Sequence, residues 1–138
     1  MNYLVLFFYL LFGSPSNETN NLTINITNIE NIQGTLEIGL FNNNERFLEE
    51  GQAFKTISVK VQADSETVVI KNLPKGTYAI SMYHDENADG KCNRNFLGIP
   101  TEPYGFSNNF RPKFSAPTFE DCQFAIKSNH SLKIVLKN

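Results

Sequence analysis

Between positions 85 and 93 the chain reads Asp-Glu-Asn-Ala-Asp-Gly-Lys-Cys-Asn. Oxygen-bearing side chains fall at the first, third, fifth and ninth places of a calcium-type loop, with glycine at the sixth for the sharp turn. Calcium takes six to eight hard oxygens, and side chains two apart in a curled loop converge on one point. Asp85, Asn87 and Asp89 are the expected direct ligands, Lys91 offers its carbonyl, and Asn93 acts through water. The twelfth place is Phe96, where a bidentate carboxylate belongs, so a replacement must come from Glu86, Glu102, Glu120 or Asp121. The affinity expected of such a loop is in the weak extracellular range, about 10⁻⁴ to 10⁻³ M. The same residues also suit an Asx-rich turn that binds nothing.

Two other groups of residues could carry chemistry. His84 ends a strand-like run just before this loop, and its side chain suits a metal ligand, a general base or a tie between strand and loop. No zinc spacing accompanies it and no G-x-S-x-G elbow is present, so a hydrolase or isomerase centred on His84, Asp85 and Glu86 is an alternative rather than the main reading. Tyr104 and Phe106, with Phe96 and Phe110, could form an aromatic platform for a carbohydrate or a peptide, or be the small core of their own loop. Cys92 and Cys122 are the only cysteines. In an oxidising compartment an even count allows one disulfide, and closing its 31-residue loop would contribute about 3 to 4 kcal/mol. Two buried free thiols are the other arrangement.

The elements that must hold these residues alternate apolar with polar, the signature of half-buried strands. Strands are predicted over 22–29, 36–41, 54–61, 68–70, 78–84, 119–126 and 132–136. Asn42 to Gly51 reads as a polar loop, with Phe47 and Leu48 on a short helical turn that plugs an edge. In Leu73-Pro74-Lys75-Gly76-Thr77-Tyr78 the tyrosine can hydrogen-bond back across a tight corner. Seven short strands with regular turn signals predict an all-β fold, a seven-stranded antiparallel β-sandwich with Greek-key connections. A long loop, 85–117, is inserted before the last two strands. It carries too many apolar residues for disorder and should fold back over one end of the sandwich. Asn108-Asn109 within it reads as a turn or a side-chain brace.

Met1 to Ser16 contains no charged side chain and eleven apolar ones. The apolar run Tyr3–Phe12 is too short to span a bilayer, and Ser14 and Ser16 have the spacing of a signal-peptidase site. The expected organisation is a signal peptide over 1–16 and one domain over 17–138, exported to the periplasm or secreted. Twelve Lys and Arg stand against 14 Asp and Glu, which excludes nucleic-acid binding driven by phosphate neutralisation. No second membrane span is expected. Asn17, Asn21, Asn25 and Asn129 begin N-x-S/T sequons, relevant only in a host that glycosylates exported chains.

Five blocks in order carry a family likeness: Leu73–Tyr78 (LPKGTY), Tyr83–Asn87 (YHDEN), Asn95–Pro100 (NFLGIP), Tyr104–Asn109 (YGFSNN) and Phe114–Asp121 (FSAPTFED). Over residues 22 to 136 the chain resembles the uncharacterised bacterial domain of unknown function 2141. The resemblance implies an exported single-domain protein with an immunoglobulin- or transthyretin-like sandwich, and it implies no reaction. Members usually have apolar residues where this chain has Cys92 and Cys122, a pair of departures that a chain-specific disulfide would leave. The sequence thus points to an exported binding or structural module rather than an enzyme, with calcium as its candidate cofactor and an unknown ligand or protein as its partner.

Overall fold

In the computed structural model, residues 19–92 and 100–138 are described. The strands are β1 (Thr19–Thr27), β2 (Thr35–Phe41), β3 (Lys55–Lys60), β4 (Glu66–Pro74), β5 (Gly76–Asp85), β6 (Tyr104–Phe106), β7 (Phe124–Ile126) and β8 (His130–Val135), with one helical turn, α1 (Phe119–Cys122). They form two sheets, one ordered β4-β1-β8 and the other β3-β2-β5-β6, with β7 also paired to β5. The fold is all-β and sandwich-like. The even-numbered side chains of β1 (Leu22, Ile24, Ile26), β2 (Leu36, Ile38, Leu40) and β5 (Tyr78, Ile80, Met82) are buried between the sheets with Ile134 and Leu136. Alternation therefore built these strands for the reason anticipated: successive side chains point to opposite faces, and one face meets this core.

Three features differ from the expectation. Among the described residues there are eight strands, because β6 forms within the long loop. The stretch 119–126 is not one strand. Thr118 and Asp121 make a reciprocal capping box, Asp121 N donating to Thr118 Oγ1 (3.2 Å) and Thr118 N to Asp121 Oδ2 (2.9 Å), so a helical turn precedes β7. And the sandwich is not wholly antiparallel, since β8 runs parallel to β1, with Leu22 opposite His130 and Ile26 opposite Ile134. Alternation specifies which face is buried and is silent on strand direction.

The outer face of the five-stranded sheet carries a second core. Phe41 and Ala79 point away from the first core and pack with Phe47, Phe106, Phe119 and Cys122. Phe47 meets Phe41 and Phe119 edge-on at 5.3 and 5.9 Å, the plug expected of the 42–51 loop, while Leu48 takes a left-handed φ of 65° and stays exposed. Tyr78 closes the corner by donating its hydroxyl to Pro74 O at 2.6 Å. Asn108 and Asn109 are the brace: Asn108 Nδ2 donates to Gln123 O (2.9 Å), and Asn109 bonds both Lys133 O (3.1 Å) and Val135 N (2.8 Å). Both adopt positive φ, which asparagine tolerates better than most residues.

Candidate metal centre

β5 is the central strand of its sheet, and its end delivers Tyr83, His84 and Asp85 to the mouth of the loop. Tyr83 lies opposite Tyr104 of β6. Continuing that register two residues puts Glu102 opposite Asp85, and the bond from His84 N to Pro103 O (2.8 Å) shows that the pairing does continue. One carboxylate oxygen from each of Asp85, Asp89 and Glu102 lies within 4.8 Å of the others. Asp85 is 2% and Glu102 9% exposed, while Asp89 stands in solvent. Two nearly buried carboxylates held face to face repel, and a cation between them removes that cost.

The loop curls because Asp85 gathers its backbone. Asp85 Oδ2 accepts from Gly90 N (2.8 Å) and Oδ1 from Asp89 N (3.2 Å), which also approaches Asn87 Oδ1 at 3.3 Å. Lys91 N donates to Asp89 Oδ1 at 2.9 Å, and Glu86 N to Glu102 Oε2 at 2.8 Å. Ala88 and Gly90 take positive φ of 54° and 74° to allow it. Each carboxylate oxygen has a second lone pair, so these bonds aim the oxygens without exhausting them. Lys91 is exposed. Asn93 and Phe96 lie outside the described residues, as does the segment 1–16 expected to be a signal peptide.

A turn before β2 braces the loop from below. His84 is fully buried, and its Nε2 donates to Gln33 O at 2.6 Å, which leaves Nδ1 facing Glu86 Oε1 at 3.9 Å. Asn31 Nδ2 donates to Glu86 Oε2 at 3.1 Å. The histidine thus ties the strand end to the neighbouring turn, and with no exposed surface it meets no substrate in this arrangement. Tyr104 and Phe106 meet edge-on (5.9 Å, 64°) rather than coplanar, and Phe106 belongs to the second core.

The two cysteines are not joined, which corrects the disulfide expectation. Cys122 is buried in the second core, whereas Cys92, at the end of the acidic loop, is partly exposed. Burial, then Asp121, pushes the Cys122 thiol up to about 12, where it is unreactive.

Tyr83 was not singled out by its sequence context, yet it reports on the site. Burial first, then Glu37, Asp85, Cys92 and Glu102, push its phenol up to about 12 from 10.0. The folded chain therefore holds this proton more tightly than the unfolded one. Its stabilising contribution is complete below pH 10 and is lost as pH rises towards 12. An ultraviolet titration should show one tyrosine ionising near pH 12, and Glu37→Gln, which removes the largest charge acting on it, should lower that value part of the way while burial keeps it above 10. A profile unchanged by Glu37→Gln would mean that the Glu37 charge does not act on this phenol.

The profile of the family described as "Uncharacterized protein conserved in bacteria (DUF2141)" matches residues 24–134. The chain belongs to this family. No curated protein and no solved structure matches it. Within the matched span lie the acidic loop, Glu102 and, apart from Leu22 and Leu136, the residues of both cores. Of the four carboxylates that could replace the missing twelfth ligand, the fold brings Glu102 to the cluster, whereas Asp121 caps α1. Sequence spacing could not choose among them. The signal that could have done so is the YGF triplet, once its register against β5 is known.

Proposed function

We propose that this family member is an exported binding or structural module whose acidic loop is completed by calcium. Asp85, Asp89 and Glu102 supply the carboxylates, with the Asn87 side chain and the Lys91 carbonyl as further oxygens. The observation that carries the reading is the convergence of three carboxylate oxygens within 4.8 Å, two of the residues nearly buried. An all-oxygen donor set in an irregular loop suits calcium better than magnesium, which demands near-ideal octahedral geometry. The ion's role is structural: it joins the end of β5 and the turn that follows it to Glu102, just ahead of β6. Export rests on the Met1–Ser16 pattern, and an extracellular or periplasmic setting supplies calcium at the millimolar levels a weak loop needs.

A thermal melt in EDTA and then in millimolar calcium tests this. At a calcium concentration 100 times the dissociation constant, stability should rise by about 2.7 kcal/mol. Asp89→Asn/Glu102→Gln keeps the shapes and removes two charges. It should melt higher than the parent in EDTA, because the repulsion is gone, and should not respond to calcium. Terbium offers a second readout, since Tyr83 beside the cluster can sensitise its luminescence. A parent melt that ignores calcium, with no terbium signal, would reduce the loop to an Asx-rich turn.

A further inference from the structure

β3 bounds one side of the five-stranded sheet and, among the described residues, pairs with β2 alone. The bond from Val61 N to Gly34 O (3.0 Å) extends that ladder one pair beyond Thr35–Lys60. Bonded and non-bonded pairs alternate along an antiparallel ladder. Val59, Ile57 and Lys55 therefore turn their peptide groups to β2, and Lys60, Ser58 and Thr56 turn theirs outward. An edge of this kind is a template for another strand. The edge of β8 is managed differently, because Asn109 and Arg111 fill it: Arg111 Nη2 donates to Val135 O at 2.9 Å beside the two Asn109 bonds. No described side chain does this for β3.

We propose that β3 pairs antiparallel with β3 of a second copy, centred on Ser58. In that register Thr56 falls opposite Lys60, so the three outward-facing residues of each strand meet those of the other, and each pair exchanges both backbone bonds. Ile57 of one copy lies opposite Val59 of the other on the core side. Both are only half-buried in the single chain, and the pairing covers the apolar surface that the sheet edge leaves open. No lysine opposes a lysine: Lys60 meets Thr56 and Lys55 meets Val61. Neighbouring registers fail. Centring on Ile57 or on Val59 leaves two bonded pairs within β3 instead of three, centring on Lys60 opposes like charges, and centring on Thr56 runs off the strand. The contact is isologous and closes at two copies. One strand pair buries less than a permanent dimer does, so the two copies exchange with single chains in a concentration-dependent way.

Sedimentation equilibrium of the purified chain, from micromolar to near-millimolar concentration, should show the mass rising from 15.6 kDa towards twice that value. Ser58→Pro removes the central outward N–H and spares every backbone bond to β2, giving up there only the Ser58 Oγ–Glu37 Oε1 side-chain bond (2.7 Å), a substitution that edge strands accept. Thr56→Lys, at an exposed position, sets a lysine opposite Lys60 twice over. Each variant should melt as the parent does and stay at the single-chain mass throughout; if Ser58→Pro fails to fold, Thr56→Lys decides. Val69→Lys, on the exposed face of β4, should leave the rise in mass unchanged. A parent mass that never rises overturns the proposal and leaves the edge to an extended segment of another protein. A rise that survives Thr56→Lys also overturns it, because the contact then lies elsewhere, the apolar Tyr3–Phe12 run included.

Discussion

Gly34→Ala is expected to cost the fold about 3–5 kcal/mol and to lower Tm by on the order of 10 °C or more. A Cβ at Gly34 would sit 2.0 Å from the Asp85 carbonyl oxygen and 3.0 Å from Glu86 Cα, backbone atoms that cannot swing aside. Its φ of +68° adds the left-handed penalty that any other residue bears. Gly51→Ala separates the two terms, because Gly51 has φ +73° and nothing within 4 Å of its Cβ position. That variant should lose only about 1–2 kcal/mol. The Gly34 substitution should also abolish the calcium response, since it displaces the peptide from which Asp85 projects. Equal losses at the two glycines in denaturant titrations would show that the turn yields freely and does not brace the loop.

Ser107→Ala is the second large effect, at about 2–4 kcal/mol. Ser107 is fully buried, its Oγ accepts from Ile80 N at 2.8 Å and donates to Cys122 O at 2.5 Å. One hydroxyl thereby satisfies a donor on the central strand and an acceptor at the end of α1. Alanine leaves both polar groups buried without a partner, each costing about 1–3 kcal/mol. Ser131→Ala, exposed on β8, should change stability by less than about 0.5 kcal/mol. Hydrogen exchange gives the specific readout: the Ile80 amide should exchange faster than its neighbours Ala79 and Ser81 in the Ser107 variant. A loss no larger than that at Ser131 would mean that the two groups find other partners.

How far the fold could be read in advance depends on how local its causes are. β1, β2 and β3 were legible because core-facing and outward side chains alternate along them, so burial imprints a period of two on neighbouring residues, whereas only 68–70 of β4 was read as strand and β5 is buried on both faces. β6 was not. Three residues are too few for a period, and Tyr104-Gly105-Phe106 becomes a strand only because Tyr83 pairs with it. Gly105 must also lack a Cβ, which would stand 2.5 Å from Ile134 Cγ2. The region 119–126 misled because Phe119, Cys122, Phe124 and Ile126 are apolar in a strand-like order, while the deciding signal was the Thr118–Asp121 capping box.

The candidate site divides along the same line. Asp85, Asn87 and Asp89 could be found by spacing, because a tight turn brings side chains two apart to one point whatever the rest of the chain does. The tyrosine corner and the family likeness were legible for the same reason, being carried by short contiguous blocks. Glu102 could not be chosen, since its place opposite Asp85 follows from the β5–β6 register across the intervening loop. The cysteines show the converse: an even count suggested a bond, but both thiols are free, Cys122 being buried in the second core. What the amino-acid sequence alone determined is which residues alternate, turn and carry oxygen. Which of them meet was decided by strand register and by the second core, because both depend on contacts between residues far apart in the chain.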